Sequence, residues 1–184
     1  MKLNEFEVPI EFDVKKEVRE PTLGERLEGC ETLADIFELV KEVVRKRRGW
    51  ERAGLMLGLA DLGSAPGSML GGYYTVGTNM IVMNKAPLAR VRQTMPKLYK
   101  PYAFYVLMHE YLHSLGILAE DATRRVALEI AEESFGGRHL VSRIAADLGR
   151  FVPFLSWPDI AWRPENVKIE LVEGFDRGSV SYIR

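Results

Sequence analysis

Val106-Leu107-Met108-His109-Glu110-Tyr111-Leu112-His113-Ser114-Leu115 carries the spacing that decides how this 184-residue chain is read. Residues four apart on a helix lie on one face, one turn above the other. His109 and His113 so placed can grip one cation, with the Glu110 carboxylate beside them. This is the HExxH arrangement: two metal-ligating imidazoles and a carboxylate able to take a proton from a water on the metal. The flanking Val106, Leu107, Tyr111, Leu112, Ser114 and Leu115 are uncharged, which suits a helix passing through a core. Of the three His in the chain, two are spent here. The competing reading is a core helix whose imidazoles only form hydrogen bonds.

A catalytic zinc site uses three protein ligands and keeps a fourth position open. His139 is the remaining His and follows the Gly136-Gly137 break at the start of a helix, so it is the expected third ligand. Glu133, twenty residues beyond His113, is the alternative, and Glu129 flanks the same side. Glu120, just past the turn, is a further choice, either as a ligand or as a partner of a ligand His. Gly116 extends the pattern to HExxHxxG, but Ala119 stands where the longer motif has another His.

Upstream, Phe6, Val8, Ile10, Phe12 and Val14 alternate with charged residues, and Pro9 on the polar side marks an edge strand. Pro21, Gly24 and Gly29 read as a connection. Thr32 caps a helix to about Arg48, with an apolar stripe of Leu33, Ile36, Phe37, Val40, Val43 and Val44, ended by Gly49. The run Arg45-Lys46-Arg47-Arg48 then sits at the helix end whose dipole favours cations. Residues 53–60 read as a buried strand, 63–72 as a glycine-rich loop, and 73–76 with 80–83 as a strand pair around Gly77. A strand before the metal helix is where a substrate backbone can bind by strand addition. Residues 87–95 form a short helix, and the metal helix runs from about Tyr102 to Leu115 with Pro101 in its first turn.

Downstream, Asp121 caps a helix that ends at Gly136-Gly137, and a further helix covers 138–148. Pro153, Trp157, Pro158, Trp162 and Pro164 make a rigid aromatic connection, which could also lie over the site and keep it latent. Val167, Ile169 and Leu171 alternate as a late strand, and residues 179–184 could add another. The expected fold is α+β: a mixed sheet on a backing helix and the HExxH helix, then further helices and a C-terminal strand. One domain covers 1–184, its Trp/Pro-rich segment 150–184 returning to the sheet.

A net charge of -1 removes the electrostatic footprint of a nucleic-acid binder. No apolar run reaches the roughly 18–20 residues of a membrane span, and the start of the chain alternates where a signal peptide would have an apolar core. The lone Cys30 excludes an internal disulfide and reads as an ordinary thiol. Together these predict a cytoplasmic protein without membrane or nucleic-acid partners.

Residues 106–115 resemble the extended zinc-binding signature of the zincin metallopeptidases, and the element order around them is similar to the minimal zincin core. Residues 72–139 are similar to small archaeal proteins regarded as zinc-dependent proteases, in which a Gly-rich turn and a His follow the motif. The resemblance implies one Zn2+ held by His109 and His113, Glu110 as catalytic base, and a peptide or protein substrate. The gluzincin branch adds a downstream Glu in an Asn-Glu context, whereas here Glu132 precedes Glu133. The expected function is zinc-dependent peptide hydrolysis; the alternative is an inactive or latent metal-binding or interaction protein of the same fold. Tyr73, Tyr74 and Tyr182 are the expected candidates for steadying the oxyanion.

Overall fold

A computed structural model of the protein describes residues 19–64, 70–156 and 161–177. The alternating stretch 6–14, Trp157, Pro158, Tyr182 and the expected strand at 179–184 lie outside the described residues. Among the described residues the fold is α+β, with seven α-helices and a small mixed sheet of four strands.

The first helix, α1 (Leu23–Gly29), falls where a connection was expected. Its Gly24 and Gly29 look like breakers, but Thr22 and Glu25 close a capping box. The Thr22 hydroxyl accepts from the Glu25 N–H at 3.2 Å, and the Glu25 carboxylate accepts from the Thr22 N–H at 2.7 Å. The same device, Thr32 with Asp35, starts α2 (Leu33–Arg48), and Gly49 in the left-handed region (φ 70°) ends it. The expected stripe of α2 is buried.

The strands are β1 (Met56–Ala60), β2 (Gly72–Tyr74), β3 (Met80–Asn84) and β4 (Glu170–Leu171), in the order β2-β3-β1-β4. The central pair β1 and β3 is parallel, and each edge strand pairs antiparallel. Leu57, Ile81 and Met83 turn into the core. The late strand is shorter than its alternation suggests, because only Glu170 and Leu171 pair with β1 and both stay exposed.

Helix α3 (Lys85–Thr94) follows β3 directly, and a 3₁₀ turn (Pro96–Leu98) leads into α4 (Tyr99–Ser114). That turn is why α4 starts three residues before Tyr102. Helix α4 packs against α2, β2, α5 (Glu120–Phe135) and α6 (Leu140–Ala146). It is apolar nearly all round, so it has no solvated face and forms the centre of the molecule. The helix expected over 138–148 stops at Ala146, and residues 148–155, leading into the expected Pro153 connection, form a 3₁₀ turn (Leu148–Phe151) and the one-turn helix α7 (Val152–Leu155). Pro153 fits there because a first helical turn needs no N–H from it.

Three polar side chains tie the sheet to the segments around it, and one of them, Arg52, reaches α4. Arg52 donates to the Ser114 carbonyl at the end of α4 (2.6 Å), to the Tyr74 hydroxyl (2.7 Å) and to the Thr78 carbonyl (2.7 Å). It thereby places a cation at a helix C-terminus and ties that end to the β2–β3 connection. Asp176 accepts from the Leu55 N–H at 2.8 Å and pairs with Lys41, while Phe175 stacks on Phe37 at 4.0 Å. These contacts hold the C-terminal residues against α2 and β1, on the side of the sheet away from β2.

Asn84 is buried and joins three segments. Its amide nitrogen donates to the carbonyls of Gly63 (3.0 Å) and Leu70 (2.9 Å), and its oxygen accepts from the N–H groups of Leu62 and Ala86. No helix among the described residues is long and apolar enough to cross a membrane.

Replacing Asn84 strands buried donors and acceptors in several segments at once. We expect Asn84→Ala to lower stability by about 2–4 kcal/mol, read as a fall in the urea midpoint at unchanged slope. A loss below about 1 kcal/mol would show that water replaces the network.

Candidate metal centre

At the last turn of α4 the Nε2 atoms of His109 and His113 lie 3.1 Å apart. A carboxylate from the next helix closes the group: Glu120 Oε1 is 3.0 Å from His113 Nε2, and Oε2 is 3.3 Å from His109 Nε2. The His113 Nδ1 stands 2.7 Å from the Ile117 carbonyl. A carbonyl can only accept, so Nδ1 carries a proton, and Nε2 is the nitrogen that would offer a lone pair to a cation in the cluster. His109 Nδ1 is buried with no partner among the described residues, an exception to the rule that buried polar atoms are paired. Burial, and then the neighbouring His113, push the His109 imidazole below its ordinary pKa, which keeps it neutral and able to ligate.

The chain between the two helices determines where Glu120 arrives. Gly116 adopts φ 101°, and its N–H donates to the His113 carbonyl at 3.0 Å, while the Ile117 N–H returns to the Leu112 carbonyl. This left-handed reversal ends α4 without wasting its last carbonyls. Thr123, fully buried, donates to the Ile117 and Ala119 carbonyls and pins the start of α5 to the turn. The α5 helix begins two residues earlier than expected, with Ala119 as cap in place of Asp121, so Glu120 stands in its first turn over the imidazoles.

Two imidazole nitrogens and one carboxylate could hold a metal ion. No other group of three or more such side chains converges in this way among the described residues. As a donor set it is the three-ligand pattern of an open site.

No protein-family profile, curated protein or solved structure matches the chain. The site therefore stands on its own geometry.

The structure does not bring His139 to the cluster. Its Nδ1 accepts from the Val141 N–H at 3.2 Å, capping α6, and its ring stacks on Phe135 at 4.7 Å and packs against Gly24 of α1. Glu133 is also elsewhere. Arg48 clamps both its oxygens, at 2.9 and 3.0 Å, and reaches Glu129 at 3.2 Å. The basic run at the end of α2 thus consumes both downstream carboxylates in docking α2 onto α5. Tyr74 is committed too, its hydroxyl lying between Arg52 and the Thr78 carbonyl.

A cleft of about 240 Å³ opens beside the imidazoles, lined by His109, Glu110 and Glu120 with Tyr105, Arg124 and Leu148. The β2 side of the cleft is Leu70, Gly71 and Gly72. A Cβ at Gly71 would stand 2.9 Å from the Tyr102 hydroxyl, and one at Gly72 would stand 2.7 Å from the Val82 carbonyl. The two glycines let the strand approach α4 this closely. Tyr105 and Arg124 went unnoticed in the sequence, although each lies one helical turn from a cluster residue, Tyr105 before His109 and Arg124 after Glu120. None of residues 161–177 lines the cleft.

Glu110 is 6% exposed, and its carboxyl is pushed up to about 7. Burial is the main cause and the Glu120 charge the second, partly offset by the Tyr74 backbone N–H. A carboxyl raised in the folded state favours folding while protonated, and this contribution fades as pH rises from about 4.5 through 7.

The metal-free protein should therefore lose about 2–3 kcal/mol of stability across that window through Glu110 alone. Glu110→Gln should flatten this part of the pH profile, measured by urea denaturation in the presence of chelator. Parallel profiles for the two proteins would contradict it. If the cluster holds a divalent metal, Glu120→Ala should weaken its binding by about 100-fold or more, beyond the range expected of a merely supporting group, and His139→Ala should not. Competition with a chelating dye measures both.

Proposed function

We propose that the protein is a zinc-dependent peptidase of the zincin type. The observation that carries this reading is the meeting of His109, His113 and Glu120 in one cleft that also contains the buried Glu110. Glu120 replaces His139 as the third ligand in this proposal. The fit is chemical as well as geometric, since two imidazole Nε2 atoms and a carboxylate converge and such a mixed nitrogen and oxygen set suits zinc. A zinc ion held there supplies Lewis acidity to a water and to a substrate carbonyl.

The chain's own residues do the rest. Glu110 takes the proton from the attacking water and delivers it to the leaving amine. Its burial keeps bulk water from competing for that proton. Ile117, through its carbonyl, holds His113 in the tautomer that leaves Nε2 free. Tyr105, whose ring centroid lies 6.0 Å from that of His109, has its phenol held in the protonated form by burial and is a cleft-lining donor for a developing oxyanion. β2 is an edge strand, and its Gly72 and the preceding Gly71 line the cleft. An extended peptide can pair there by strand addition, which supports a peptide substrate.

A metal used only for folding is enclosed by its ligands. Here the Glu120 side chain is 58% exposed and the cleft is open, which favours catalysis over a structural or latent role.

Glu110→Gln should bind zinc as the parent does and lower peptide hydrolysis by about 10²–10⁴-fold. A variant that hydrolyses peptides at the parent rate would remove Glu110 from the chemistry.

A further inference from the structure

Arg124 is the cation of the cleft that the proposed hydrolysis does not use. It lies one turn beyond Glu120 on α5, and its side chain is 64% exposed. Among the described residues its one ion pair is a loose 3.6 Å contact with Glu120 Oε2. That oxygen also faces His109 Nε2 at 3.3 Å, so it belongs to the proposed ligand set. With one Glu120 oxygen on a divalent cation, the other would remain a loose, single contact for a guanidinium that carries five N–H donors, so most of Arg124 would stay available to a ligand in the cleft.

The charges around the cleft then do not balance. Imidazoles that ligate a metal do so as neutral groups, so a divalent cation would bring two positive charges and Arg124 a third, while Glu120 and Glu110 return at most two negative ones. The open side of such a site favours an anionic group. A guanidinium beside the entrance is suited to a carboxylate, which it can hold through two parallel hydrogen bonds.

The size of the cleft narrows the choice. About 240 Å³ is below the ~300–1,000 Å³ of clefts that hold drug-sized ligands. It takes a residue or so beyond the reacting carbonyl. Arg124 sits next to the ligand carboxylate, and successive residues are about 3.8 Å apart. A carbonyl at the ligand cluster and a carboxylate at Arg124 therefore match the two ends of one residue. Leu148, Tyr105 and Val106 on the cleft wall would meet its side chain.

We infer that Arg124 is the receptor for the C-terminal carboxylate of the substrate, so that the protein removes residues from free C-termini. This rests on the peptidase reading above. In the reaction, the oxygen of water joins the acyl carbon as the C–N bond breaks. One proton passes through Glu110 to the leaving amine, and the last residue departs as a free amino acid.

The test separates binding from turnover. The zinc-loaded Glu110→Gln protein is titrated calorimetrically with N-acetyl-Ala-Ala-Leu as its free acid and as its amide. The free acid should bind at least tenfold tighter, and adding Arg124→Gln should bring the difference below twofold. Arg124→Lys should restore part of it, because an ammonium keeps the charge and loses the fork. Zinc affinity, from chelator competition, should stay the same in all these variants. Equal binding of acid and amide, no binding of either, a preference that survives Arg124→Gln, or a parallel loss of zinc would each overturn the assignment. Hydrolysis by the parent protein distinguishes the two readings. Equal rates on acid and amide sink the carboxylate site and keep the peptidase. No hydrolysis, with the binding preference intact, does the reverse.

Discussion

The reversal of the chain at Gly116 is the constraint on which the site depends. A helix by itself brings His109 and His113 together, but it cannot supply a third donor from its own next turns once it has ended at Ser114. The left-handed Gly116 and the buried Thr123 turn the chain back within five residues and set Glu120 over both imidazoles. The same turn supplies the Ile117 carbonyl that fixes the His113 tautomer. One short connection therefore sets both the identity of the third donor and the direction in which one of the imidazoles presents its lone pair.

Around that turn the environment is divided. On the inner side, Glu110 and His109 sit among apolar residues, and burial drives both toward their neutral forms. On the outer side, Glu120 and Arg124 stand in solvent at the start of α5. A cation placed between these halves would meet neutral nitrogens from within and a charged oxygen from without. Such a cation would be reached from the open cleft on the α5 side.

The placement of α4 and its surroundings is fixed by polar contacts and close approaches at its margins. Arg52 joins the end of α4 to the β2–β3 connection, Asn84 gathers the two ends of the glycine-rich stretch, and Gly71 and Gly72 bring the strand against Val106. Apolar packing alone would hold α4 in the core without fixing its rotation against the sheet. Directional hydrogen bonds to backbone carbonyls supply that rotation.

Much was legible in the sequence. The HExxH spacing placed both imidazoles on one helical face, and the Thr32 cap, the α2 stripe and Gly49 marked a helix whose bounds the structure reproduces. These are local properties, set by helical periodicity and by capping chemistry within four residues. Helix α1 was also local, its Thr22–Glu25 box masked by neighbouring glycines.

The third donor was not local. His139 and Glu133 were reasonable by residue type, yet the first is bound into the capping of α6 and the second into the Arg48 fork. A ligand set depends on where a turn delivers the next helix and on which rivals are already paired elsewhere. Sequence periodicity carries neither. The sequence by itself determined the two imidazoles and the carboxylate between them, because one helical turn fixes their relation. Only the tertiary structure decided that Glu120 joins them, because that distance is closed through space by the Gly116 reversal and the seating of α5.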